Sequence, residues 1–342
     1  MKKVHSLLHL AAAGFAFCVA LTAAAPAYAA SRSAADLLSL VPPDAATVAV
    51  VRFSDLRESP VAAKLFASAD RMAADGDAAR FFEDAQLNPK KDVDVVVVAA
   101  RPSSGGSGSP ILALFEGRFD TNRLASALVS RGGFRKTSPA GDYYQLPEKH
   151  TSEGERTSAV AFVNSNLVIA GTESAVVQAL ADRQSGGTAF VSGAGLGREL
   201  KRVDLSAAFW VLVDVNRYPP AMKGRARMER RSESGGEPEA AMMGAMKSVS
   251  LVALQANTRG DGLELSAAGV ARDADSRQLL EDSLKGLMAM WRLAVEDRSP
   301  ELVSVIRQFS VSSDADSVSI HGTLSGTAIR TLMQKKAHSS EF

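Results

Sequence analysis

Leu263, Leu265 and Ala267 alternate with Glu264, Ser266 and Ala268, the two-residue repeat of a strand with one buried face. Phe309, Val311, Val318 and Ile320 form a second alternating pair around the turn-rich Ser313-Asp314-Ala315-Asp316, and Ser310, Ser312, Ser317, Ser319 and His321 take the opposite face. Hairpins apolar on one side and polar on the other belong to antiparallel sheets wetted on one face. Between these strands the period changes. Leu280, Leu284, Leu287, Met288, Trp291 and Val295 fall at helical spacing and predict one apolar stripe. Ser299-Pro300-Glu301 predicts the start of another helix, with serine as cap and proline at the first helical position. Helices on one face of an antiparallel sheet make a two-layer α+β sandwich.

The same pattern occurs earlier in the chain. Lys-Asp-Val-Asp-Val-Val-Val-Val-Ala from Lys91 is matched by Lys-Ser-Val-Ser-Leu-Val-Ala-Leu-Gln from Lys247. Each is followed by a glycine-rich turn (103–109 and 259–262), a second strand, and a helix opened by an aspartate, Asp120 or Asp273. This period exceeds that of solenoid repeats and predicts two tandem, related domains of about 150 residues each. The expected boundaries are 30–190 for the first domain, 191–204 for a linker, 205–336 for the second domain and 337–342 for a tail. Residues 221–241 interrupt the second domain. This polar insertion carries Arg225, Arg227, Arg230 and Arg231 among Glu229, Glu233, Glu237 and Glu239, so it has little to bury and balances its own charge.

Residues 1–29 carry a different signature. Lys2 and Lys3 precede an apolar run over 7–25, which ends at Pro26-Ala27-Tyr28-Ala29. A basic start, an apolar stretch and small residues before the cut predict a cleaved secretory signal peptide, and hence a periplasmic or extracellular protein. The single cysteine, Cys18, leaves with it, which excludes structural disulfides, zinc-thiolate sites and cysteine nucleophiles from the mature chain. Loss of Lys2 and Lys3 takes the 39 basic residues to 37 against 38 acidic, giving no electrostatic reason to bind nucleic acid. The longest later apolar runs, 95–100 and 207–213, are too short to span a bilayer, so no transmembrane segment is expected in the mature chain.

Candidate chemistry is sparse. Met242, Met243 and Met246 offer soft sulfur donors of the kind that hold monovalent copper, but their spacing repeats that of Phe81, Phe82 and Ala85, and packing is the expectation. Gly193-Ala194-Gly195-Leu196-Gly197 has Arg198 where a dinucleotide loop needs its third glycine. His150, His321 and His338 lack partners at metal-ligand spacing. Asp92 and Asp94 form a carboxylate pair whose counterparts are Ser248 and Ser250, which favours a solvated edge over acid–base work. No Gly-x-Ser-x-Gly elbow, Ser-x-x-Lys, His-Glu-x-x-His or Gly-Lys pair is present. These readings predict no catalytic residue and no cofactor.

Leu40-Val41-Pro42-Pro43-Asp44-Ala45 closes the first helix and leads into Val48-Ala49-Val50-Val51. This segment resembles exported bacterial proteins of unknown function that begin with such a Pro-Asp turn and carry duplicated α+β domains. The resemblance implies no activity and carries over no functional residue. The expected function is non-catalytic, through an unknown protein or envelope partner. A carrier of a small apolar ligand is the alternative, with Met288, Trp291 and Phe309 lining its cavity between sheet and helices. A hydrolase with an unrecognised site stands third.

Overall fold

The computed structural model describes residues 34–57, 59, 77–102, 109–147, 149–151, 154–218, 249–296 and 300–329. The chain divides into two compact units, Met1–Glu58 with Ala62–Phe209, and Ser59–Val61 with Trp210–Phe342. Both are mixed α+β, built on antiparallel strands. The expected signal peptide at 1–29, the expected insertion at 221–241 and the expected tail at 337–342 lie outside the described residues.

The first unit contains α1 (Ala34–Leu38), β1 (Thr47–Arg52), α2 (Phe53–Arg57), α3 (Asp77–Asp84), α4 (Pro89–Asp92), β2 (Val93–Ala100) and β3 (Ile111–Gly117). It continues through α5 (Thr121–Ser130), β4 (Phe134–Ser138), β5 (Gly141–Gln145), a separate small hairpin of β6 (Lys149–Thr151) and β7 (Gly154–Arg156), β8 (Ser158–Asn164), β9 (Leu167–Thr172) and α6 (Glu173–Gln184). Its strands lie in the order β1-β2-β3-β9-β8-β5-β4. The second unit contains β10 (Phe209–Asp214), β11 (Val249–Arg259), β12 (Gly262–Ala271), α7 (Ala274–Glu296), α8 (Pro300–Ile306), β13 (Phe309–Ser313) and β14 (Ser317–Leu324), with strand order β10-β11-β12-β14-β13. In each unit the first three strands run in succession, the last joins the third, and the next-to-last lies outside it. The hairpin β4–β5 extends the first unit beyond that shared core.

Two local devices recur. Asp120 caps α5 by accepting hydrogen bonds from the Asn122 and Arg123 amides, and Asp273 accepts one from the Ser276 amide at the start of α7. The second strand of each unit also carries an irregularity against the third, between Val93 and Val95 and again between Val249 and Leu251. The odd residue is Asp94 in one case and Ser250 in the other.

In the second unit α7 covers one face of the sheet, and Leu251 and Ala253 on the opposite face of β11 are buried as well. Leu280 and Leu284 of α7 pack on Val249, Val252, Val311 and Val318. On the other face Gln255, Ser266, His321 and Ser310 stand side by side across four strands, as the alternation predicts. The first unit departs from a two-layer plan. Val95, Val96 and Val97 are all buried, so β2 is covered on both sides, which is why it reads as a continuous valine run. Val51, Val96 and Val168 pack with Leu124 and Ala127 of α5 on one face. On the other, Val50, Val97, Leu114 and Ile169 are fully buried, and Tyr143 reaches Glu173 at the start of α6.

The stretch expected to be a linker belongs to the first unit's core. Residues Gly195–Arg202 form a 3-10 helix with Leu196, Gly197 and Leu200 buried. Gly195 has φ +53°, and a Cβ there would collide with the Pro43 carbonyl; at Gly197 it would collide with that of Phe190. These glycines serve close packing.

Candidate functional site

The longest helix among the described residues, α7, has a buried side and an exposed one. Its inner side carries the predicted stripe, with Leu280 and Met288 buried and Leu284 and Leu287 half-buried. Phe309, expected to line a ligand cavity with Met288 and Trp291, is half-buried on β13, opposite Gly322 on β14. Its ring occupies the space where a Gly322 side chain would stand. The Trp291 side chain lies outside what is described. Leu254 sits on the helix-covered side of the sheet, in register with Ala267, Ile320 and Val311, yet is 38% exposed.

The outer side of α7 is also apolar. Leu279, Met290 and Leu293 are 49%, 43% and 69% exposed, and at helical spacing they share one face with Gly286, whose would-be Cβ meets nothing within 4 Å. Exposed large apolar residues are ordinary one at a time, but a row of them marks a surface of interaction. This face was missed by following the buried stripe alone. Its signal was the second series of apolar residues, 11 and 14 positions after Leu279.

Polar clusters elsewhere are used for structure. Asp92 ends α4 and accepts from the Asn88 amide, whereas Asp94 pairs with Arg57 at 2.6 Å. Arg57 also donates to the Lys90 and Val93 carbonyls. The two carboxylates thus hold separate backbone joints. In the first unit, Glu173 accepts from Tyr143 Oη at 2.7 Å and from Lys136 Nζ at 3.0 Å. In the second, Glu281 holds Lys285 at 2.6 Å and Arg277 at 3.8 Å.

The electrostatics run against acid catalysis at these groups. Glu173 is held below the ordinary carboxyl range chiefly by the Tyr143 hydroxyl, and Glu281 chiefly by Lys285. Asp142 is lowered by Thr137 and Arg135, Asp273 by the Ser276 amide, and Asp314 by the Asp316 amide and Ser317. A general acid at neutral pH needs a carboxyl group pushed upward. Among the described residues no three His, Cys, Asp or Glu side chains are grouped to hold a metal ion. Met242, Met243, Met246 and His338 lie outside those residues; His321 is exposed on β14. No helix among the described residues is long and apolar enough to cross a membrane.

No family model matches the chain, and no curated protein matches it. Among solved structures it is similar to the Treponema protein TP0453. Crystal form III of that protein aligns with TM-score 0.46 and 8% identity over 87% of this chain and 97% of that one. Crystal form IV aligns with TM-score 0.44 and 8% identity over 86% and 95%. Crystal form I aligns with TM-score 0.41 and 9% identity over 87% and 96%.

Proposed function

We propose that this is an exported, non-catalytic protein of the envelope or the extracellular space, and that it works by docking a partner on the outer face of α7. The row of exposed apolar side chains at Leu279, Met290 and Leu293 carries the reading, since leaving it in water forfeits the burial that folding normally achieves. The lowered carboxyl groups support a role without acid catalysis. Export rests on the amino-terminal pattern at 1–29, and the mass of the protein isolated from its host should correspond to a chain beginning at Ala30. The shared strand order, cap aspartates and strand irregularities support descent of both units from one duplicated ancestor.

The docking test is a photo-crosslinking residue placed at Leu293 in the living host. A single adduct is expected, and it should vanish when Leu279→Glu is added. No adduct, or a smear equal to that from the same probe at Gln278, would overturn the reading. A second reading, carriage of a small apolar molecule beside α7, draws on the exposure of Leu254 on the helix-covered side of the sheet. Native mass spectrometry of the host-purified protein would reveal such a ligand as a retained mass.

A further inference from the structure

We infer that the occupant of the outer α7 face is a second copy of this chain, paired antiparallel about a two-fold axis at Gly286. The inference rests on the docking reading above and names its partner. Leu279 and Leu293 stand seven residues before and seven after Gly286. Seven residues fall about 20° short of two full turns, so all three share one stripe, with each leucine about 10 Å along the axis from the glycine. A two-fold axis through that glycine sets Leu279 of one copy against Leu293 of the other, twice over. Self-complementarity of this kind is what an isologous interface requires.

The centre permits close approach. Gly286 is exposed, and nothing lies within 4 Å of the position a Cβ would take, so the two helix backbones can meet there without a side chain between them. Charge selects the direction. Asp282 and Arg292 are both exposed and lie on the same flank of the stripe. In the antiparallel pair, Asp282 of one copy comes within about 3 Å, along the axis, of the level of Arg292 in the other. Two such pairings are available, each with Arg292, about 120° around the axis from Gly286, reaching back toward the seam. Parallel pairing would put these residues of the two copies on opposite flanks of the seam and about 15 Å apart along the axis, so the attraction would be lost. One helix face per copy falls well short of the roughly 800 Å² per partner of a standard interface. The dimer is therefore weak and forms as concentration rises.

Cysteine substitution tests this directly, because Cys18 is the sole native cysteine and Cys18→Ser leaves a thiol-free background. Oxidised by copper-phenanthroline and oxygen, Gly286→Cys should form a disulfide dimer, since the axis brings like residue to like residue. Gln278→Cys should not, because its two copies would lie about 24 Å apart along the axis. Leu279→Cys alone should stay monomeric, whereas a mixture of Leu279→Cys and Leu293→Cys should cross-link. In sedimentation velocity the unmodified chain should shift from monomer toward dimer with concentration, and Leu293→Glu should abolish the shift while far-ultraviolet circular dichroism stays unchanged. Equal cross-linking at Gly286 and Gln278, self-cross-linking of Leu279→Cys, or a chain that remains monomeric at millimolar concentration would each overturn the proposal. A photo-adduct from Leu293 to a different protein, with the chain monomeric, would remove self-pairing and leave docking standing. Loss of every adduct would remove both.

Discussion

Removing the Glu173 carboxylate should cost the first unit more than removing the hydroxyl bonded to it. Tyr143 is 6% exposed and donates to Glu173 at 2.7 Å, while Lys136 shares the same carboxylate oxygen at 3.0 Å. Glu173→Ala leaves a buried hydroxyl without its acceptor, a loss of about 1.5–3 kcal/mol for a bond to a charged group. It also removes an acid from the first turn of α6, worth a further few tenths. Tyr143→Phe deletes the donor cleanly and leaves Glu173 with Lys136 and water, so it should cost about 1 kcal/mol. The pH dependence has two ends. Glu173 is lowered in the folded state, so its contribution is present above the unfolded carboxyl pKa and is lost as pH falls through the lower folded value. Tyr143 is pushed from 10.0 to about 12, first by the Glu173 hydrogen bond and then by burial. Its neutral form is favoured, so that contribution is complete below 10 and disappears as pH rises toward 12. Urea unfolding of both single variants and the double variant gives the coupling energy, and tyrosinate absorbance follows the ionisation. Coupling indistinguishable from zero, or a Tyr143 that ionises at the ordinary 10.0, would refute the argument.

Other outcomes follow from the same geometry. Asp120→Ala and Asp273→Ala should each cost about 1 kcal/mol in urea unfolding, and the asparagine variants much less, because asparagine still caps. Gly197→Ala should lower the yield of folded protein sharply, since its methyl would meet the Phe190 backbone; an unchanged melting temperature would contradict the packing assigned to that helix. Met288→Ala should destabilise by about 2–5 kcal/mol, as a buried core truncation does, whereas an effect below about 0.5 kcal/mol would show that the site is loosely filled.

Much of the fold was legible where one face of an element is wet. The alternation at 263–268 and in the 309–320 hairpin gave the second unit's sheet correctly, because water on one side forces polar residues into every other position. The caps at Asp120 and Asp273 were legible for a similarly local reason. The valine run of β2 was harder. Burial on both faces erases the alternation, so the second helical layer of the first unit left no period to read. The glycines at 193–197 misled by composition: Gly195 and Gly197 look like a flexible joint in sequence, but they are small because backbone crowds them from Pro43 and Phe190. Following only the buried side of α7 drew attention to Met288, Trp291 and Phe309 and away from Leu279, Met290 and Leu293. Which of two apolar stripes faces the sheet depends on contacts distant in sequence, and only the fold supplies those.

The odd residue in β2 and β11 has a consequence for anyone who would transplant or shorten these strands. Val93 and Val96 stand three apart yet share one apolar cluster, and so do Val249 and Val252. Without an irregularity, an odd separation would send them to opposite sides. Straightening either strand with Asp94 or Ser250 kept would turn its leading valine out toward water, whereas excising that residue would leave the two valines two apart and on one side. The apparent flaw sets the parity of each strand, and a graft that aligned these segments by strict alternation would begin inside out.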